Sequence, residues 1–316
     1  MSFSLDPEIA EGVETLFEGF GEVEPMAVGD VASRRAVFDK MQLMMFGQLP
    51  MPGDVTIKDY ETTAQDGARI VLRWYTKGEA NPGSAVLYAH GSGMIASRME
   101  LYDGPVARYV SATGVPFLSV AYRKAPEFPA PIPVTDCYAG LQWLAANAPE
   151  LGVDPDRIAV MGDSGGGGIA ASLAIYSRDH DGPSIARQIL IYPMLDDRNT
   201  TPDPGFTTWI PWGYDDNMTG WGALLGSTVG GPDVSPYGAA ARLKDFSGLP
   251  AAYIEVGELD IFRDESIAYA QQLYSAGAST ELHVLPRVPH AFEAFVPTAE
   301  ISLRAGASRH RVLKSI

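Results

Sequence analysis

Beyond residue 84, short continuous apolar runs alternate with longer segments whose apolar positions fall three or four residues apart. Ser84–Ala89, Pro116–Ala121, Arg157–Met161, Arg187–Tyr192, Ala251–Val256 and Thr280–Leu285 read as strands. Leu101–Thr113, Val134–Ala148, Ile169–Tyr176, Arg263–Ala276 and Thr298–Leu313 read as helices. A strand with little polar alternation is buried on both faces, so the pattern predicts an α/β fold with a mostly parallel sheet covered by helices on both sides. Ahead of this region, Val55–Glu61 and Ala68–Tyr75 flank Gln65-Asp66-Gly67, a hairpin signal. Ile9–Phe20 and Val31–Phe46 have helical spacing, and the cluster Met41, Leu43, Met44, Met45, Phe46 is expected to be ordinary packing, with a flexible cover over a hydrophobic site as the second reading.

The alternation breaks between Leu195 and Gly248. That stretch holds Pro202, Pro204, Pro211, Pro232 and Pro236 together with Trp209, Trp212, Tyr214 and Trp221. It is too aromatic for a linker and too interrupted for the sheet. An insertion there would sit over the strand ends, where open α/β sheets place their sites. The expected organisation is therefore an N-terminal region over 1–50, a core over 51–194 and 249–316, and an insertion over 195–248.

Gly162-Asp163-Ser164-Gly165-Gly166 falls where one of these strands turns into a helix. Small flanking residues allow the sharp turn, which lifts a serine hydroxyl out of the sheet and aims helix N-terminal amides at whatever it attacks. A serine hydroxyl needs a base, and the base needs an orienting group. Of the five histidines, His290 lies in a loop after the last strand, on the sheet edge that carries Ser164. His283 alternates within a strand, while His180 and His310 read as surface helix positions. Asp260 lies just past its strand and is the expected acid. Glu255 falls within the strand, and Asp264 opens a helix as an N-terminal charge. The order Ser164, Asp260, His290 matches that of an α/β-hydrolase. The loop His90-Gly91-Ser92-Gly93 offers backbone amides to an oxyanion, with His90 expected to orient the loop rather than act as base.

Composition narrows the partners. Acidic residues outnumber basic ones 39 to 23, giving a net charge of −16, which argues against nucleic acid and against anionic membrane surfaces. The single cysteine, Cys137, excludes an intrachain disulfide and reads as a buried packing residue. The N-terminus is acidic and lacks an apolar core, and no stretch approaches the length of a membrane span, so a cytoplasmic location is expected. No metal site, phosphate loop or dinucleotide fingerprint is visible, and the expected catalysis needs no cofactor. A homodimer is compatible with the sequence.

His90-Gly-Ser-Gly93, Tyr122-Arg-Lys-Ala-Pro-Glu127, Gly162-Asp-Ser-Gly-Gly166, and Gly257–Glu265 with Pro289-His-Ala-Phe292 together give the chain its resemblance to the hormone-sensitive-lipase-like group of bacterial esterases, also called family IV. The resemblance implies an α/β-hydrolase core, a helical cap made from the N-terminal region and the insertion, and hydrolysis of a small carboxylic ester. It also implies that the amides of Ser92, Gly93 and Gly165 form the oxyanion hole. The chain departs from the family pattern at Ser92, where a glycine is usual, and at Gly165, where alanine is usual. Met94, Tyr192, Trp209 and Trp212 are expected to contact substrate. The bulky rings and prolines of the insertion predict a short walled pocket, hence short to medium acyl chains. An amidase or peptidase on the same fold, or a ligand-binding relative without the chemistry, are the alternatives.

Overall fold

The computed structural model of the protein describes residues 4–18, 24–78, 80, 82–203 and 212–316. Eight strands form one sheet in the order β1-β2-β4-β3-β5-β6-β7-β8. The hairpin is β1 (Thr56–Thr63) and β2 (Arg69–Thr76), turning where Asp66-Gly67 requires it. Strand β2 also pairs antiparallel with β4 (Phe117–Val120). From β4 onward every pairing is parallel, through β3 (Ala85–Ala89), β5 (Ile158–Asp163), β6 (Arg187–Ile191), β7 (Ala251–Gly257) and β8 (Thr280–Leu285). Strands β3 and β4 are wholly buried, as their continuous apolar runs require. Parallel pairing needs crossovers, and these are α3 (Asp103–Thr113), α4 (Ile132–Asn147), α5 (Gly165–Asp179) and α7 (Arg263–Ser275), with the short α8 (Phe292–Phe295) and α9 (Glu300–Lys314) closing the chain.

The apolar periodicity starts the central helix at Ile169, but α5 begins at Gly165. Its first turn is four glycines, each buried. A Cβ on Gly166 would collide with the carbonyl oxygen of Ala89, and one on Gly167 would lie 2.9 Å from the Pro193 side chain. Glycine costs a helix interior about 1 kcal/mol relative to alanine. Here that cost is offset by the closeness with which the helix meets β3 and the segment after β6.

Helices α1 (Pro7–Glu18) and α2 (Val31–Phe46) precede the sheet, and α6 (Tyr214–Leu225) follows β6. Among the described residues the segment 195–248 contributes no strand. Helix α2 is capped by Asp30, which accepts from the Ser33 amide at 3.0 Å. The buried Arg34 donates to Asp216 of α6 at 2.8 Å and to the Ala27 carbonyl at 2.7 Å, tying the N-terminal region to the insertion. No helix among the described residues is long and apolar enough to cross a membrane.

Candidate active site

Ser164 stands between β5 and α5 with φ 55° and ψ −122°. Such a backbone costs on the order of 1–3 kcal/mol and persists only where its surroundings impose it. The Ser164 amide donates to Ile191 O at 2.9 Å, while its carbonyl accepts from Gly168 N and Met194 N, both at 3.0 Å. The hydroxyl is 3.0 Å from His290 Nε2, and His290 Nδ1 is 2.7 Å from Asp260 Oδ2. The other Asp260 oxygen accepts from the Phe262 amide at 2.9 Å, which fixes the carboxylate in its loop. With Asp260 ionised, His290 Nδ1 carries the proton and Nε2 is left to accept from the serine. The ring of Tyr192 stands edge-on to His290 at 4.6 Å and that of Phe262 at 5.2 Å, so the imidazole is held on two sides.

The loop after β3 approaches the same serine. Ser92, Gly93 and Met94 all have positive φ, of 88°, 61° and 62°. A Cβ on Gly165 would lie 2.9 Å from Gly93 N and 2.8 Å from Met94 N, so the amides of this loop and of the α5 N-terminus converge. The Ser92 hydroxyl accepts from Gln42 of α2, a bond a glycine could not make. His90 stacks on Tyr122 at 4.5 Å, and Tyr122 donates to the His90 carbonyl at 2.7 Å. Burial, aided by Lys124, pushes the His90 pKa down to about 3, so the ring is neutral and braces the loop.

Asp163, the residue before the serine, is partly buried and accepts from the hydroxyls of Tyr88 and Tyr102. Burial raises its pKa to about 6, and the two phenols oppose that rise. Behind His290 lies a second polar cluster that motif reading did not find. Arg309 of α9 donates to Glu255 at 2.6 Å and to Glu293 at 2.6 Å, and Tyr192 donates to Glu293 at 2.8 Å. Burial pushes the Glu293 carboxyl up, but Arg309 more than reverses this and leaves it below the usual range. The signals for this cluster were a glutamate inside an apolar strand and an arginine on the inner face of the last helix.

A cavity of about 500 Å³ opens from Ser164 and His290. Phe38, Met41, Met45 and Trp212 wall it beside the serine, and it runs on between α3 and α9. Several expectations change accordingly. The methionine cluster is not plain packing: Met41, Met45 and Phe46 line the cavity, while Leu43 points to solvent, because the helix turns one face to each. His310 is not a surface residue but is half-buried and lines the cavity. His180, by contrast, is exposed as expected, its ring stacked 3.9 Å from that of Tyr176. Of the four expected substrate contacts, Tyr192 and Trp212 line the cavity. Met94 does not; its positive φ turns it under α5, beside Gly168 and Ile169. Trp209 lies outside the described residues. Ser164 as a residue is buried, at 5% relative exposure, and lies on the cavity wall below α2 and Trp212.

A family model described as the alpha/beta hydrolase fold matches residues 86–294. The chain is 40% identical over 242 residues to carboxylesterase NlhH of Mycobacterium tuberculosis, covering 72% of this chain and 73% of that protein. It is 29% identical over 299 residues to ethyl acetate hydrolase of Pseudomonas putida, covering 92% of each. Among solved structures, a bacterial heroin esterase superposes with a TM-score of 0.89 at 34% identity, over 99% of this chain and 98% of that one. The chain belongs to the α/β-hydrolase family and, within it, to the hormone-sensitive-lipase-like group of esterases.

Proposed function

We propose that the protein hydrolyses short- to medium-chain carboxylic esters through an acyl-enzyme on Ser164. The observation that carries this is the continuous run of contacts from Ser164 through His290 to Asp260 at the floor of the cavity. His290 Nε2 takes the hydroxyl proton as Ser164 attacks the ester carbonyl, and Asp260 holds the resulting imidazolium. The amides of Ser92, Gly93 and Gly165 stabilise the oxyanion, and His290 returns its proton to the departing alcohol. Water, deprotonated by the same imidazole, then attacks the acyl-enzyme, releasing the acid and restoring Ser164. The N-terminal helices and the segment 195–248 act as the cap.

The size and walls of the cavity support the chain-length preference. Phe38 and Trp212 meet ring to ring at 5.2 Å beside the serine and leave a walled pocket rather than an open groove. A p-nitrophenyl ester series tests it: kcat/KM should peak between acetate and octanoate and fall steeply by palmitate. A maximum at palmitate with activation at an emulsion surface would refute the preference. A fluorophosphonate probe should label Ser164 alone, and labelling elsewhere would overturn the nucleophile.

A further inference from the structure

The cavity does not end at the cap. Its outer arm runs between α3 and α9, where Pro105, Arg108 and Ala112 on one helix face Leu303, Gly306 and His310 on the other. Spacings of three and four residues put each set on one helical face, and the small residues Ala112 and Gly306 leave the space between them open. Most of this arm is apolar, which makes its charges conspicuous.

Arginines elsewhere in this acidic chain typically hold carboxylates, as Arg34, Arg73, Arg123, Arg242 and Arg309 do. Arg108 does not. Among the described residues its hydrogen bond is a 3.5 Å contact from Nη1 to the Leu49 carbonyl, at the outer limit for such a bond. Its guanidinium is half-buried, and burial pulls its pKa down without a carboxylate to pull it back. The other cavity charges have polar partners, although Glu293 Oε2 has no hydrogen bond among the described residues. Arg309 is shared by Glu255 and Glu293, and Asp163 takes two phenol hydroxyls. His310, on the facing wall, is pushed towards its neutral form by burial and by Lys314 and Arg309, so its ring can donate one hydrogen bond without adding charge. Half-burying a cation is unfavourable unless something anionic meets it, and a guanidinium presents a planar fork suited to a carboxylate.

We propose that this arm is an anion subsite: Arg108 binds a free carboxylate on the ester, remote from the carbonyl that meets Ser164. The substrate class is then a monoester of a dicarboxylic acid, or the ester of a hydroxy acid through its hydroxyl. This rests on the esterase chemistry proposed for Ser164. Both substrates present the same carboxylate at opposite ends, so their comparison reports which arm of the ester occupies the cavity.

The test measures kcat/KM for monoethyl adipate against ethyl hexanoate, and for 4-acetoxybutyrate against butyl acetate, by pH-stat. In Arg108→Gln the charged-to-uncharged ratio should fall roughly 10- to 100-fold in at least one pair, the loss expected for a charge-assisted hydrogen bond. Arg108→Lys should recover part of the ratio, and Arg108→Glu should lower it further. Calorimetric titration of the adipate monoester into Ser164→Ala, with and without Arg108→Gln, reads binding apart from turnover. Ratios and binding unchanged by Arg108→Gln, in a variant whose circular dichroism matches the parent, would overturn the subsite. No turnover of ethyl hexanoate or butyl acetate by the parent enzyme, with Arg108-dependent binding intact, would instead count against the proposed hydrolysis.

Discussion

Arg309 in the last helix and Glu255 in β7 meet at 2.6 Å, both buried, and the same guanidinium reaches Glu293 three residues after His290. Strand β7 leads directly to Asp260, so one arginine ties together the segments that deliver Asp260 and His290. Tyr192 completes the link, donating to Glu293 while its ring abuts His290. Arg309→Met should strand the buried Glu255 and the partly buried Glu293 and destabilise the fold by about 3–5 kcal/mol, the usual cost of breaking a buried pair from one side. Urea unfolding measures this, and a loss below about 1 kcal/mol would contradict the network's role.

Ser164→Ala should remain folded and lose about 10⁴-fold or more in kcat. Asp260→Asn should lose far more activity than Asp264→Asn. Asp260 contacts His290, whereas Asp264 pairs with Arg263 at the surface. Steady-state kinetics on p-nitrophenyl butyrate decide both. Greater damage from Asp264→Asn would reassign the acid.

Gly93→Ala should abolish most activity. The residue has φ 61°, where an L side chain is strained, and its Cβ would strike the Trp212 ring. Relief must move the loop or the ring, and a small displacement of groups that position the substrate can cost on the order of 10²-fold in rate. Full activity in this variant would mean that the loop amides are not held where the proposed oxyanion hole needs them.

Acid should destabilise the protein through His90. Its folded pKa of about 3 lies below the ordinary 6.5, so between those values the unfolded chain binds a proton that the folded one does not. This contribution is present above pH 6.5 and is lost as pH falls towards 3, by up to about 1.4 kcal/mol per unit. Asp163, raised to about 6, acts in the opposite sense. Comparing urea midpoints of the parent and His90→Gln at pH 7.5, 6 and 5 isolates the histidine. A shallower pH slope in His90→Gln is expected, and parallel slopes would refute its buried neutral state.

The sequence by itself determined the sheet, its helices, and the order of Ser164, Asp260 and His290, because these rest on local signals. A continuous apolar run must be buried, a glycine-flanked serine must turn sharply, and a polar residue just past a parallel strand must emerge on the edge where that turn lies. Neighbours distant in the chain were decided only by the tertiary structure. The periodicity of α2 marked an apolar face but not that the face would wall the cavity beside Ser164. The helix was legible only from Ile169, and glycines 165–168 joined it because Ala89, Pro193 and Met194 occupy the space beside them. Met94 moved out of the site because its backbone dihedrals, not its place in the motif, aim its side chain. Arg309 and Glu255 lie 54 positions apart and carry no mutual signal in a single chain; burial in a shared low-dielectric core is what makes them partners. Arg108 was one charge among many until folding left it beside a cavity with no carboxylate among the described residues to answer it.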